Sequence, residues 1–172
     1  MKNILKFILC FIWICLLHSS CNNNASKNNN ATGTANKVKL FEKPIGESGF
    51  VVSIPAEYSI TSSNGPDFSV YYISPTDTAI KGQLTCGLYF GNFPNEFEAD
   101  NDSCKVETLK GHMLDSIQTW KVYNCQGDFS VQTITADQKG EGWNYKVHAF
   151  GHAKRKEELK TILEIFSTLK KK

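Results

Sequence analysis

The sequence predicts an α+β domain in which an antiparallel sheet of about six strands packs against one C-terminal helix. Three observations carry this. From residue 37 onward apolar side chains recur with a period of two, the pattern of strands with one buried face. The runs are joined by short links rich in Gly, Asn and Asp, which suit hairpins and therefore antiparallel neighbours. Over residues 154–170 the period changes to that of an amphipathic helix.

In the first strand Phe50, Val52 and Ile54 alternate with Val51 and Ser53. In the second, Phe68, Val70 and Tyr72 alternate with Ser69, Tyr71 and Ile73, and in the third Leu84, Cys86, Leu88 and Phe90 alternate with Thr85, Gly87 and Tyr89. After a polar stretch, strands are expected over residues 117–123, 129–135 and 143–150. Their turns fall at Asn124-Cys125-Gln126-Gly127 and Asp137-Gln138-Lys139-Gly140. Pro55, Pro66 and Pro75 sit at strand edges, where a missing N–H costs least. In the helix, Leu159, Ile162, Leu163, Ile165, Phe166 and Leu169 form one broad apolar stripe that must lie on the sheet. Burying side chains of this kind contributes about 1.5–3 kcal/mol each, gross. The terminal Lys170-Lys171-Lys172 is expected to complement the helix dipole.

Three segments precede or make up this domain: 1–20, 21–36 and 37–172. Lys2 and Lys6 introduce an apolar stretch of 11 residues from Phe7 to Leu17, followed by the polar His18-Ser19-Ser20 and then Cys21. This is the order of a secretory signal peptide. The stretch is shorter than the roughly 20 helical residues needed to span a bilayer. Leu17-His18-Ser19-Ser20-Cys21 resembles the lipobox of bacterial lipoproteins, although His18 occupies the position where that motif usually has Leu. The resemblance implies cleavage before Cys21, lipidation of its thiol, and attachment of the protein to a membrane of the bacterial cell envelope, with the domain outside the cytoplasm. Residues 22–36 contain seven Asn and no bulky apolar side chain, so they read as a flexible tether.

Residues 21–172 carry 17 basic and 17 acidic side chains. A neutral domain with no basic stripe is not built to displace counterions from phosphates, which argues against a nucleic-acid partner. The strand closed by Pro and an aromatic, Phe50-Val-Val-Ser-Ile-Pro-Ala-Glu-Tyr58, is followed by Gly65-Pro-Asp-Phe-Ser-Val-Tyr-Tyr72, Gly87-Leu-Tyr-Phe-Gly91 and Ile162-Leu-Glu-Ile-Phe-Ser-Thr-Leu169. Together these resemble the PsbP/Mog1-like domains. That resemblance implies an antiparallel sheet sandwiched by helices, one of them a closing helix of this kind. It also implies a role in binding, since such domains include DcrB-like envelope lipoproteins and immunity proteins that block delivered toxins. The expected function is that of a non-enzymatic, protein-binding lipoprotein, immunity against a secreted toxin being its sharper form. A small-ligand or calcium-binding envelope protein is the alternative.

The candidate chemistry is sparse. Neither GxSxG, a P-loop nor GxGxxG occurs, nor do the HExxH and CxxC zinc signatures, and no cofactor is expected. Of the cysteines after Cys21, Cys86 falls on the apolar face of its strand, whereas Cys104 and Cys125 lie near loops and are expected to pair as a disulfide. Glu96, Glu98, Asp100 and Asp102 supply hard oxygen ligands that could hold calcium, although the order of an EF-hand is missing. His148 and His152, four apart, would share a face as ligands only on a helix, and here they fall at a strand, while His112 stands apart. Tyr71, Tyr89 and Phe93 are the candidates for contact with a partner, being aromatic residues of which some must point away from the core.

Overall fold

A computed structural model describes residues 38–77, 84–99, 103–136 and 146–172. The chain divides into two units, Met1–Asn36 and Lys37–Lys172. The signal segment, Cys21 and the Asn-rich tether belong to the first and lie outside the described residues.

Among its described residues the second unit shows ten strands and one helix. In chain order they are β1 (Leu40–Pro44), β2 (Phe50–Pro55), β3 (Tyr58–Asn64), β4 (Phe68–Pro75), β5 (Thr85–Gly91), β6 (Cys104–Met113), β7 (Ser116–Cys125), β8 (Asp128–Ala136), β9 (Lys146–Ala153), α1 (Lys156–Ser167) and β10 (Lys170–Lys171). Seven strands form one sheet in the order β3-β4-β5-β9-β8-β7-β6, and β1-β2-β10 form a second. Every pairing is antiparallel. The α+β class holds, with more strands than the six expected. The additional β1, β3, β6 and β10 are all sheet edges. An edge strand is half solvated, so polar residues such as those of Tyr58–Asn64 interrupt the apolar alternation that reveals a strand.

One face of the large sheet carries the core. Ile73, Cys86, Leu88, Phe90, Trp120, Val131 and Ala149 pack there against α1 and the second sheet. The helix contributes Leu159, Ile162, Ile165 and Phe166, and Phe166 stacks on Trp120 with centroids 5.4 Å apart. Phe50 of the second sheet meets Phe90 at 5.1 Å. The residues of β9 facing α1 include Ala149, Gly151 and Ala153, and this sequence of small side chains lets the helix approach. A Cβ on Gly151 would stand 2.9 Å from Ile162 Cγ2. Gly151 continues the strand past the end expected at residue 150, pairing with Cys86 and Val131.

The helix starts at an unusual N-cap, Arg155. The half-buried demand for acceptors is met by Glu158, whose carboxylate accepts from the Lys154 and Arg155 amides, each at 3.1 Å, and from the Arg155 guanidinium. At the other end, Lys170 and Lys171 pair with Val51 and Phe50 as β10, and Lys170 forms an ion pair with Glu42. They build a sheet edge and take no part in the last helical turn, contrary to the dipole role expected of them. The β7–β8 hairpin turns at Gln126 and Gly127, both with positive φ, while Asn124 Oδ1 accepts from the Gly127 amide. The turn expected at residues 137–140 lies outside the described residues.

Candidate functional site: the open face of the large sheet

The face opposite α1 is the one that the fold leaves for other work. Strand alternation directs Phe68, Val70 and Tyr72 of β4 to this side, since Tyr71 and Ile73 pair with Leu88 and Cys86 of the core. The register continues it with Tyr89 of β5, His148, Phe150 and His152 of β9, and Ser130 and Gln132 of β8. Gly87 lies opposite Phe150, and a Cβ there would come within 2.5 Å of the Phe150 ring, so the ring lies over bare backbone.

Segment 92–99 crosses this face and is pinned to it at Phe97. The Phe97 amide donates to Gln132 Oε1 at 3.1 Å, and the Phe97 carbonyl accepts from Gln132 Nε2 and from the Tyr123 hydroxyl. Gln132 Nε2 also donates to the Tyr123 oxygen at 3.0 Å, and Gln132 Oε1 lies 3.0 Å from His148 Nε2. Gln132 is 1% exposed, so its hydrogen bonds are made almost without competition from water. Beside this clasp, Glu96 pairs with Lys121.

Two grooves flank Phe150. The larger, about 500 Å³, is lined by Phe68, Tyr72, Tyr89, Phe93, His148 and Phe150, with Asp67 and Asn95 adding polar groups. The smaller, about 400 Å³, runs past Thr85, Ser130 and His152 and shares Tyr72, Phe97 and Phe150 with the first. Tyr72 is 44% exposed and Phe93 76%. His148 is 4% exposed, and burial lowers its pKa to about 4, with Glu96 opposing the shift weakly, so the imidazole is neutral at physiological pH.

The candidates named from sequence are thus distributed unevenly. Tyr89 and Phe93 line the larger groove, where the Phe93 amide donates to the Tyr89 hydroxyl and Tyr89 stacks on Phe68. Tyr71 does not belong with them: it is buried against Phe90 on the core face, and its neighbour Tyr72 takes the exposed position. Both residues are aromatic, so composition alone could not phase the strand. Gln132, Phe97 and Phe150 had no sequence signal beyond the alternation.

Cys104 and Cys125 are cross-strand partners of β6 and β7 and form a disulfide, while Cys86 is a buried free thiol whose pKa burial raises well above the usual range. Glu96 is engaged by Lys121, Glu98 lies beyond Phe97 on the same segment, and Asp100 and Asp102 lie outside the described residues. Among the described residues no group of three or more His, Cys, Asp and Glu is placed to hold a metal ion. His148 and His152 do leave β9 on one face, but the strand rise separates them by about 13 Å, with Phe150 between. His112 lies on β6, exposed and opposite Ile117. Among the described residues, the contact nearest in kind to a nucleophile and base is Ser130 Oγ to His152 Nδ1, at 3.5 Å. The nearby Asp128 carboxylate is held by Lys154.

No helix among the described residues is long and apolar enough to cross a membrane. Comparison of the chain with protein-family models, with curated proteins and with solved structures finds no match.

Proposed function

We propose that this protein is a non-catalytic binding module of the bacterial envelope, tethered by a lipid on Cys21, and that it engages a protein partner through the open aromatic face of its large sheet. The observation that carries the reading is the pair of grooves around Phe150, with Tyr72 and Phe93 exposed at their rim. Clustered exposed aromatics give large contact area for little lost side-chain entropy, and they mark sites of association. The architecture supports a PsbP/Mog1-like assignment to the extent of an antiparallel sheet closed by a C-terminal helix. Immunity against a delivered toxin is a sharper form of this function, one that the resemblance includes.

Site-specific photo-crosslinking in the producing cells tests the face. A crosslinker at position 72 or 93 is expected to give the same discrete adduct, and one at Lys160, on the exposed side of α1, none. Identical adduct patterns from all three positions would refute the assignment of the face. The anchor is tested separately: Cys21→Ala should release the protein from membranes, and mass spectrometry of the unaltered protein should find acyl chains on residue 21.

A further inference from the structure

We propose that the larger groove receives a tryptophan or tyrosine side chain of the partner protein, whose ring N–H or O–H donates a hydrogen bond to His148 Nδ1. The inference rests on the function proposed above and adds what the partner must present.

A chain of obligate donors fixes the tautomer. The Phe97 amide can only donate, so the oxygen of the Gln132 amide must face it. That same oxygen is 3.0 Å from His148 Nε2, which therefore carries the proton. Nδ1 is left with a lone pair, and no hydrogen bond reaches it among the described residues. The ring lines the groove.

The surroundings of that lone pair select its partner. Phe68, Tyr72, Tyr89 and Phe150 offer ring faces and edges, which favour a flat aromatic occupant. An occupant that seals the groove removes water from Nδ1, and one without a donor leaves a buried acceptor unsatisfied. Leucine or phenylalanine fits the walls but not the nitrogen. A quaternary ammonium ion suits the rings but has no hydrogen to give. The apolar surface continues past the groove onto exposed Tyr72 and Phe93, contact area that a protein surface covers and a free small molecule does not.

The test uses indole, its isostere benzofuran, which lacks the N–H, and tetramethylammonium. They are titrated into the protein purified in detergent in the form that the producing cell accumulates, labelled with ¹⁵N-histidine. Indole is expected to bind about tenfold tighter than benzofuran or better, equivalent to about 1.4 kcal/mol, and to shift the His148 Nδ1 resonance where benzofuran does not. Equal affinities with Nδ1 unmoved, or a preference for tetramethylammonium, would overturn the proposal. His148→Phe should abolish the preference for indole. Because it also removes the donor to Gln132, the comparison of ligands on the unaltered protein decides the matter. If no probe binds while crosslinks from positions 72 and 93 still converge on one partner, the donor inference falls and the binding module stands. If indole is preferred but no crosslink forms, the ring chemistry stands and a protein source for it is refuted.

Discussion

Gln132→Leu removes the clasp that holds segment 92–99 to the sheet while roughly preserving side-chain volume. The amide takes part in four hydrogen bonds: two with the Phe97 backbone, one with the Tyr123 hydroxyl and one with His148 Nε2. At a net 0.5–1.5 kcal/mol each they amount to about 2–6 kcal/mol. The Phe97 amide and carbonyl can regain water if the segment lifts away, which lowers the loss. His148, only 4% exposed, keeps its Nε2–H in a buried site, which raises it. The expected destabilisation is about 3 kcal/mol. It is read from the shift in urea midpoint at unchanged m-value, together with hydrogen exchange at single amides. Exchange at the Phe97 amide should rise to that of an open segment, while the amides of β5, β9 and β8 retain protection relative to the new global stability. A loss under about 1 kcal/mol with Phe97 still protected would refute the assignment of Gln132 as the residue that holds the segment.

Three further outcomes follow from the same structure. His148 titrates near 4 in the folded protein against an ordinary 6.5, so between those values the unfolded chain binds a proton that the folded one does not. Its contribution, on the order of 3 kcal/mol, is present in full above pH 6.5, is lost as pH falls toward 4, and changes no further below that; an NMR titration placing the folded His148 above pH 6 would contradict it. Replacing Cys104 and Cys125 together by Ser opens a loop with a sequence separation of 21. Thermal unfolding should report a loss of about 3 kcal/mol, and no change in stability would show the bond to be dispensable. Gly151→Ala places a methyl 2.9 Å from Ile162 Cγ2 and 3.2 Å from Cys86 Cβ, and should cost about 1–3 kcal/mol in urea unfolding. Adding Ile162→Val, which shortens the Cδ1 arm, should recover part of that loss, and strict additivity of the two changes would argue against the contact.

What the sequence disclosed depended on where each strand sits. β2, β4, β5, β7, β8 and β9 are central, and their alternation was legible with boundaries close to those observed. β1, β3, β6 and β10 are edges. β6 carries Lys105, Glu107 and Lys110, charges that guard an edge against pairing with another chain and also erase the apolar pattern. Its hairpin to β7 turns through Leu114 and Asp115, both at positive φ, where no Gly or Asn marks the turn. The groove was less legible still. Tyr89 and Phe93 were named for being aromatic, but Gln132 becomes a clasp only through a segment 35 positions away, and no local pattern encodes that meeting.

The ambiguity at Tyr71 and Tyr72 points to function more directly than either residue does. A sheet with one solvated face alternates apolar with polar, whereas a sheet covered on both faces reads as nearly continuous apolar runs. β4 carries Phe68, Val70 and Tyr72 on one side and Tyr71 and Ile73 on the other, and β5 and β9 likewise place Tyr89 and Phe150 opposite their core residues. These strands have the composition of a sheet covered twice. Among the described residues α1 and the second sheet cover one face, and segment 92–99 crosses the other at Phe97, leaving aromatic grooves on both sides of Phe150. Sequence patterning and exposure therefore disagree at the same place, over β4, β5 and β9. The partner proposed above would resolve the disagreement, because it would supply the second layer for which the strands are patterned.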